Sequence, residues 1–476
     1  MRRKAQRLGV HMLNVRKDLS AGNGVGATDA LIEFAAGLRW SDLDAAVKHA
    51  AKRHVLDTLG AIIAGAAGDL ANRVEGVLGG VRVAGQVVVP GRKRRADLLD
   101  AAFISGTAGH GTELDDGYRL GSVHPGVPVV PAIAALAYEK HASGLRFLEA
   151  AVIGYETICA VSRALHPDMR RRGFHPTGVV GVLGAATASA RLLDLTPNKI
   201  ANALGIAASS GAGLFAFLNG GADVKRLHAG HAAREGLQAA LFAANGIEGP
   251  PKVFETVDGF AQAFAFGQDA ASRNLTLSPG APFGITDCYV KPYACCRHLQ
   301  PAVEALIELM KANFLRTEDV KDIKVETYSI AAAHAHTDWA DFASAQLSFP
   351  YIMALGLKYG WIKLEHFKAE TRQDPEVTRL CKLVHVEATP EMDALYPQNR
   401  PAKVTVTTSR GVFRKEAMEA LGAPELPLSD DRLGQKFLDL ASPSLGADYA
   451  RRILDDLWRL DSVGDIVPLF DAMRPQ

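Results

Sequence analysis

Residues 41–65 end in LGAIIAG, and toward that end apolar and small side chains cover almost the whole circumference of the helix that their spacing predicts. A helix without a polar face must be packed on most sides, so this stretch demands a fold in which helices surround helices. Ser41 is placed to cap it, with Asp44 reaching back as in a capping box. The same texture recurs downstream. VPVVPAIAALAYEKHASG and LRFLEAAVIGYETICAVSRALH read as two long helices in which Ala134, Ala135, Ala137, Ala151 and Gly154 permit close helix approach. VVGVLGAATASARLL and residues 198–213 read as two more, and an apolar stripe through Leu31, Ile32, Phe34 and Ala35 opens the ordered chain near Thr28.

Four polar clusters interrupt these helices. Residues 109–126, GHGTELDDGYRLGSVHPG, hold His110, Glu113, Asp115, Asp116, Tyr118, Arg119 and His124. GFHPTG brings His175; the apparent loop around DVKRLH brings Lys225, Arg226 and His228; KPYACCRH brings Lys291, Tyr293, Cys296, Arg297 and His298. Singly, each also reads as something ordinary: a capping Asp pair, a loop-ordering His, a solvated basic pair. Together they assemble acids, histidines, cations and a tyrosine, with glycine beside nearly every one so that backbone can approach a ligand. Such a set suits a small polycarboxylate, with Lys and Arg holding carboxylates while His or Lys moves a proton beside one of them.

Several other chemistries lack their signature. His110, Glu113, Asp115 and His124 could ligate an ion, but there is no HExxH or comparable helical pair, so no metal is expected. Adjacent Cys295 and Cys296 do not match iron-sulfur spacings; they are expected to pack, with thiol catalysis as the lesser alternative. No Walker loop or post-strand GxGxxG is present, and AASSGAG at residues 207–213 sits in predicted helix without the strand that a nucleophile elbow needs. A net charge of +1 provides no field for nucleic acid or a membrane surface. Five cysteines without a CxxC fit a reducing cytoplasm, and no apolar run reaches the roughly 20 residues of a membrane span.

The predicted organisation is a basic leader or disordered extension over 1–26, helical material over 27–275, an α+β unit over 276–425 and a helical return over 426–476. In the α+β unit, residues 301–314 form an amphipathic helix, DIKVETYSI alternates as a strand, and AKVTVTT and GVFRKEAM flank Ser409-Arg410-Gly411 as a hairpin. Ser429 caps the first C-terminal helix, whose apolar stripe needs a partner. Docking onto the first helical block provides one, which makes the fold mainly α with the smaller unit inserted.

RHVLDTLGAIIAG, GTELDDGYRLGSVHPG, RRGFHPTG, DVKRLHAGHAAREG and KPYACCRHLQPAVEA, in this order, resemble the MmgE/PrpD family, which includes 2-methylcitrate dehydratase, cis-aconitate decarboxylase and iminodisuccinate epimerase. The resemblance implies a large helical domain made from both chain ends, a smaller α+β lid, a homodimer, and a site between the domains without metal or cofactor. It places functional positions on Glu113, where many relatives have Asp, and on His124, His175 and Lys225. Relatives carry a further lid His where Cys296 or Gln300 stands; this chain offers His298 instead. The implied function is a cofactor-independent lyase, in first place a dehydratase acting on a hydroxylated di- or tricarboxylate. Decarboxylation of a cis-aconitate-like acid, epimerisation, and a catalytically silent binding protein are the alternatives. His124 and His175 are the expected proton-transfer pair, with Lys225 as carboxylate anchor. Asp115, Asp116, Tyr118, Arg226, His228, Lys291, Tyr293, Cys296, Arg297 and His298 are expected to contact substrate.

Overall fold

Helix α1 (Ala27–Gly37) leads into α2 (Ala45–Ala66), whose N-cap is Asp44: its carboxylate accepts the Val47 N–H at 2.8 Å. Ser41 instead lies in a 3₁₀ turn over Trp40–Asp42, where its hydroxyl donates to Asp42 at 3.1 Å. The extended backbone of Leu43 and Asp44 separates this turn from α2, so the cap expected at Ser41 falls three residues later. The computed structural model describes residues 26–81, 85–218, 223–267, 277–280, 282–396 and 398–475. Residues 1–25 of the expected leader and 272–276 of the expected texture change lie outside these.

Helices α3 (Asp69–Val81), α4 (Leu98–Gly111), α5 (Gly126–Glu139), α6 (Gly144–Leu165), α7 (Gly181–Leu192), α8 (Pro197–Ala208) and α9 (Val224–Ala244) build the main body, and strand β1 (Gly117–Tyr118) lies between α4 and α5. QVVVPG is an extended connection in which Val87 forms only an isolated bridge to Ala96. Small residues let the helices touch. A Cβ on Gly65 of α2 would come within 1.9 Å of the Ala108 carbonyl of α4, and one on Gly184 of α7 within 2.7 Å of the Gly154 carbonyl of α6. Backbone therefore packs on backbone at these crossings.

One expected loop is helix. From Val224 onward DVKRLHAGHAAREG forms the start of α9, which puts Lys225, Arg226 and His228 on its first turns. The polar composition resembles a loop because one side of these turns carries polar groups, while Ala229, Ala232, Ala233 and Leu237 continue the buried face.

Beyond β2 (Cys288–Tyr289) come α10 (Gln300–Ala312), β3 (Val320–Thr327), α11 (Phe349–Tyr359), β4 (Val384–Ala388), β5 (Ala402–Thr408) and β6 (Gly411–Ala417). The sheet order is β4-β3-β5-β6. β3 and β4 are parallel, with Val325 opposite Val386; β5 and β6 form the expected hairpin, with Val404 opposite Lys415. Val303, Ile323, Met353 and Val404 belong to this unit's own apolar core.

The chain returns through α12 (Asp430–Leu445), capped by Ser429, and α13 (Ala447–Trp458). Phe437 packs where Gly60 leaves room on α2, and Phe437, Ile453 and Leu457 share a core with Leu56, Ile133 and Phe147. Burying a side chain such as Phe437 contributes about 1.5–3 kcal/mol, which is the physical reason that the C-terminal helices join the N-terminal body. The architecture is mainly α. Among the described residues no helix is long and apolar enough to cross a membrane.

Candidate active site

The two-residue ladder between β1 and β2 holds the segment that leads into the α+β unit against the body: Gly117 faces Tyr289 and Tyr118 faces Cys288. Just before β1, Glu113 adopts φ 53°, a left-handed conformation rare for a residue with a side chain. Its carboxylate is clamped from both sides. Lys225 of α9 reaches Oε1, and Lys291, two residues after β2, lies 3.4 Å from Oε2. Lys291 also stands 3.3 Å from Asp115 Oδ1. Burial alone would push both acids up, but Lys225 and Lys291 reverse this and hold Glu113 well below the usual carboxylate range; Lys291, His124 and His110 do the same for Asp115. Lys291 is pushed up, because Asp115 and Glu113 outweigh the burial that would lower it.

Asp115 Oδ2 receives Nδ1 of His110 at 2.7 Å and lies 3.1 Å from Nδ1 of His124. His124 Nδ1 is also 2.6 Å from the Asp116 carbonyl. A carbonyl only accepts, so this nitrogen is the N–H donor, and in the neutral ring Nε2 is left as the base. His124 keeps 16% side-chain exposure and Lys225 13%, whereas His110 and Asp115 have none. His124 and Lys225 are thus the members of this group open to a ligand. His110 is held down at about 4, chiefly by burial.

His175 precedes a short helical turn over Pro176–Val179 and is buried against Phe215 and Phe217, with His110 stacked 5.9 Å away. Its Nδ1 lies 3.0 Å from Nδ1 of His228. One nitrogen must donate and the other accept, so the two rings cannot both be protonated. Burial pushes His175 well below its ordinary value, with His110 and His228 adding to the effect, and pushes His228 down to about 4. His175 is a neutral hydrogen-bonding ring at pH 7.

Several expected contacts are committed elsewhere. Asp116 is fully buried: Oδ1 accepts the Gly126 N–H at 3.0 Å, while Oδ2 accepts the Tyr155 hydroxyl at 2.7 Å and pairs with His54 at 2.9 Å. It anchors the loop beneath the site. Tyr118 is buried and its hydroxyl meets Arg163 at 3.3 Å; Tyr293 donates to Glu304 at 2.6 Å and packs on Trp361. Arg297 donates to Gln300 and to the Leu421 and Ala420 carbonyls, each at 2.9 Å. Arg226 reaches Gln346 and Asp223 at 3.4 Å. His298 is bound through Nδ1 to the Tyr328 hydroxyl and is pushed well below its ordinary value, first by burial and then by Arg400.

The sequence reading missed His334. Its Nε2 lies 4.0 Å from Cys296 Sγ, within reach of a sulfur hydrogen bond. Burial opposes both charges, yet His334 draws the Cys296 thiol below its usual value and Cys296 raises the imidazole. Cys295 is buried and pushed up, in keeping with a packing role. Nothing local marks His334; only the approach of its segment to KPYACCRH reveals it.

His110, Asp115 and His124 offer donor atoms within 4.8 Å of one another, a spacing that could hold a metal ion. Both Nδ1 atoms face the same Asp115 oxygen, however, so a metal there would have to displace these contacts. A cavity of about 1100 Å³ lies between the body and the α+β unit. Thr112, Leu114, Arg226 and Pro292, the chain neighbours of Glu113, Lys225 and Lys291, line part of it, while the site histidines do not.

Residues 29–273 match the MmgE/PrpD N-terminal domain and residues 293–460 the MmgE/PrpD C-terminal domain. A cis-aconitate decarboxylase-like protein of Aspergillus oryzae is 28% identical, covering 93% of this chain and 96% of its own length. The cis-aconitate decarboxylase of Aspergillus terreus is 27% identical over 96% of this chain and 97% of its own, and the human cis-aconitate decarboxylase is 27% identical over 92% of each. The chain is a lyase that belongs to the MmgE/PrpD family.

Proposed function

We propose that this lyase is a carboxy-lyase acting, without metal or cofactor, on a small unsaturated tricarboxylate of the cis-aconitate type. The observation that carries the reading is the chain of ion pairs that links His124, whose Nδ1 is fixed as a donor, through Asp115, Lys291 and Glu113 to the partly open cation Lys225, with neutral His175 stacked on His110. The relatives named cis-aconitate decarboxylase support the same substrate class. In this reaction the bond from carbon to one carboxylate breaks and carbon dioxide leaves. The electron pair moves through the conjugated double bond and becomes a C–H bond with a proton from an acid. Protonated His124 Nε2 delivers that proton and is reloaded from solvent. Lys225 holds a remaining carboxylate charged, and His175 donates or accepts a hydrogen bond without adding charge.

Dehydration of a hydroxylated acid is the second reading, favoured by the same His124: Nε2 as base removes a proton next to a carboxylate, the C–H electron pair forms the double bond, and the hydroxyl, hydrogen-bonded to His175, leaves as water with a proton supplied by solvent. NMR of cis-aconitate and 2-methylcitrate incubations in deuterium oxide separates the cases. Carbon dioxide release from cis-aconitate supports the first reading, and water loss from 2-methylcitrate supports the second. Deuterium incorporation without net product reveals an epimerase. Binding by calorimetry with no product from either acid refutes both readings and leaves a silent binding protein.

The same proposal makes residues 276–425 a lid over a body built from 27–275 and 426–476. The enzyme acts in the cytoplasm as a homodimer, checked by light scattering.

A further inference from the structure

Arg400, just before β5, is a buried cation whose guanidinium makes no ion pair among the described residues. It is only 6% exposed, its Nε is buried with no hydrogen-bond partner, and among the described residues its guanidinium has neither a hydrogen-bond acceptor nor a carboxylate in ion-pair contact. Glu419, the carboxylate best placed to claim it, is taken by Arg119 and touches Arg400 only through the backbone N–H, at 3.2 Å. What faces the guanidinium is aromatic. It lies over Tyr289 at 5.4 Å, and Arg297 occupies the same ring at 4.8 Å. The Nε of Arg297 is likewise unpartnered, but its two terminal nitrogens donate to carbonyls and Gln300, so the arginines differ at the ends of their guanidinium groups although they share a ring.

An ionised group held out of water without a partner is costly, and natural cores avoid it unless another molecule completes the site. The neighbours show where that molecule would sit. Tyr289 pairs with Gly117 on the loop that carries Glu113, Asp115 and His124, and Lys291 follows two residues later. The charges of Arg400 and Lys291 both act on His298, which is bonded to Tyr328.

We infer that Arg400 is a substrate-binding residue whose guanidinium fork receives one carboxylate of the polycarboxylate, at the end away from Lys225. The inference rests on the polycarboxylate reading above and adds a second, lid-side anchor to it. The planar fork matches a carboxylate in two parallel hydrogen bonds, which a lysine cannot reproduce.

The test uses the full-length protein and three unreactive acids: tricarballylate, glutarate, which lacks its central carboxylate, and methylsuccinate, which lacks a terminal one. Calorimetry of wild type and Arg400→Met measures each affinity. Arg400→Met weakens tricarballylate roughly 10- to 100-fold, the range for a hydrogen-bonded charge, but changes by less than about 2-fold the affinity for whichever diacid lacks the anchored carboxylate. Equal weakening for all three acids, or none for tricarballylate, overturns the inference. Arg400→Lys repeats the comparison if the Met variant does not fold, and the same selective loss is expected. If wild type binds none of the acids, the polycarboxylate reading fails and the anchor with it; if wild type binds them and both variants match it, the anchor alone fails.

Discussion

Replacing Lys291 by Met removes a cation that is 1% exposed and stands 3.4 and 3.3 Å from oxygens of two buried carboxylates. Among the described residues, two buried acids, Glu113 and Asp115, are then left with Lys225 as the only lysine in contact, and Lys225 touches Glu113 alone. Breaking one side of a buried ion pair costs about 3–5 kcal/mol because the remaining charge stays desolvated. The cost depends on pH, and its sign follows from the direction in which each carboxyl is moved. In the wild type both carboxyls are depressed in the folded state, so their stabilisation is fully present above the unfolded values of about 4 and is lost only as pH falls through the lower folded values. Without Lys291, burial, the largest influence on both acids, is opposed at Asp115 by His124 and His110, and the expected outcome is that burial carries Asp115 above its unfolded value. The variant's carboxyl then contributes stability that is greatest below the unfolded value and is lost as pH rises through the folded one. Urea unfolding at pH 8 and pH 5 should therefore show a destabilisation of about 3–5 kcal/mol at pH 8 that shrinks by at least about 1 kcal/mol at pH 5, because a tenfold change in a protonation equilibrium is worth about 1.4 kcal/mol. A loss below about 1 kcal/mol, or one that is equal at both pH values, refutes the claim that Lys291 neutralises this acid pair.

His124→Ala and His175→Ala should each lower turnover by about 10²–10⁴-fold with unchanged circular dichroism; full activity in both removes them from the chemistry. Iodoacetamide should alkylate Cys296 with a pH midpoint below that of an ordinary thiol, and His334→Gln should move the midpoint upward, because the imidazolium stabilises the thiolate. Identical midpoints by mass spectrometry would mean that the two groups do not share charge. Activity should survive exhaustive chelation, and restoration only by added divalent metal would give the His110, Asp115 and His124 donor set a metal-binding role.

Helices that the spacing predicted were legible because burial imposes a 3.6-residue rhythm on whatever chain forms them, and the β5–β6 hairpin because Ser409-Arg410-Gly411 interrupts two alternating runs. The start of α9 was read as a loop, since the polar side chains of its first turns masked the rhythm. Asp115 and Asp116 looked interchangeable as ligands. Side by side on a non-helical chain, they face different surroundings, one toward Lys291 and the histidines, the other toward His54, Tyr155 and the Gly126 N–H.

By itself the sequence determined the helical character of the body, the motif inventory and the family resemblance, all of which depend on residues close together in the chain. Tertiary structure alone decided which charges meet. Glu113 finds Lys225 and Lys291 from segments more than 100 residues away, Cys296 finds His334, and the Arg400 guanidinium finds no ion-pair partner among the described residues. These outcomes depend on the desolvation and distance of each group, and neither quantity exists until the helices and the sheet have packed.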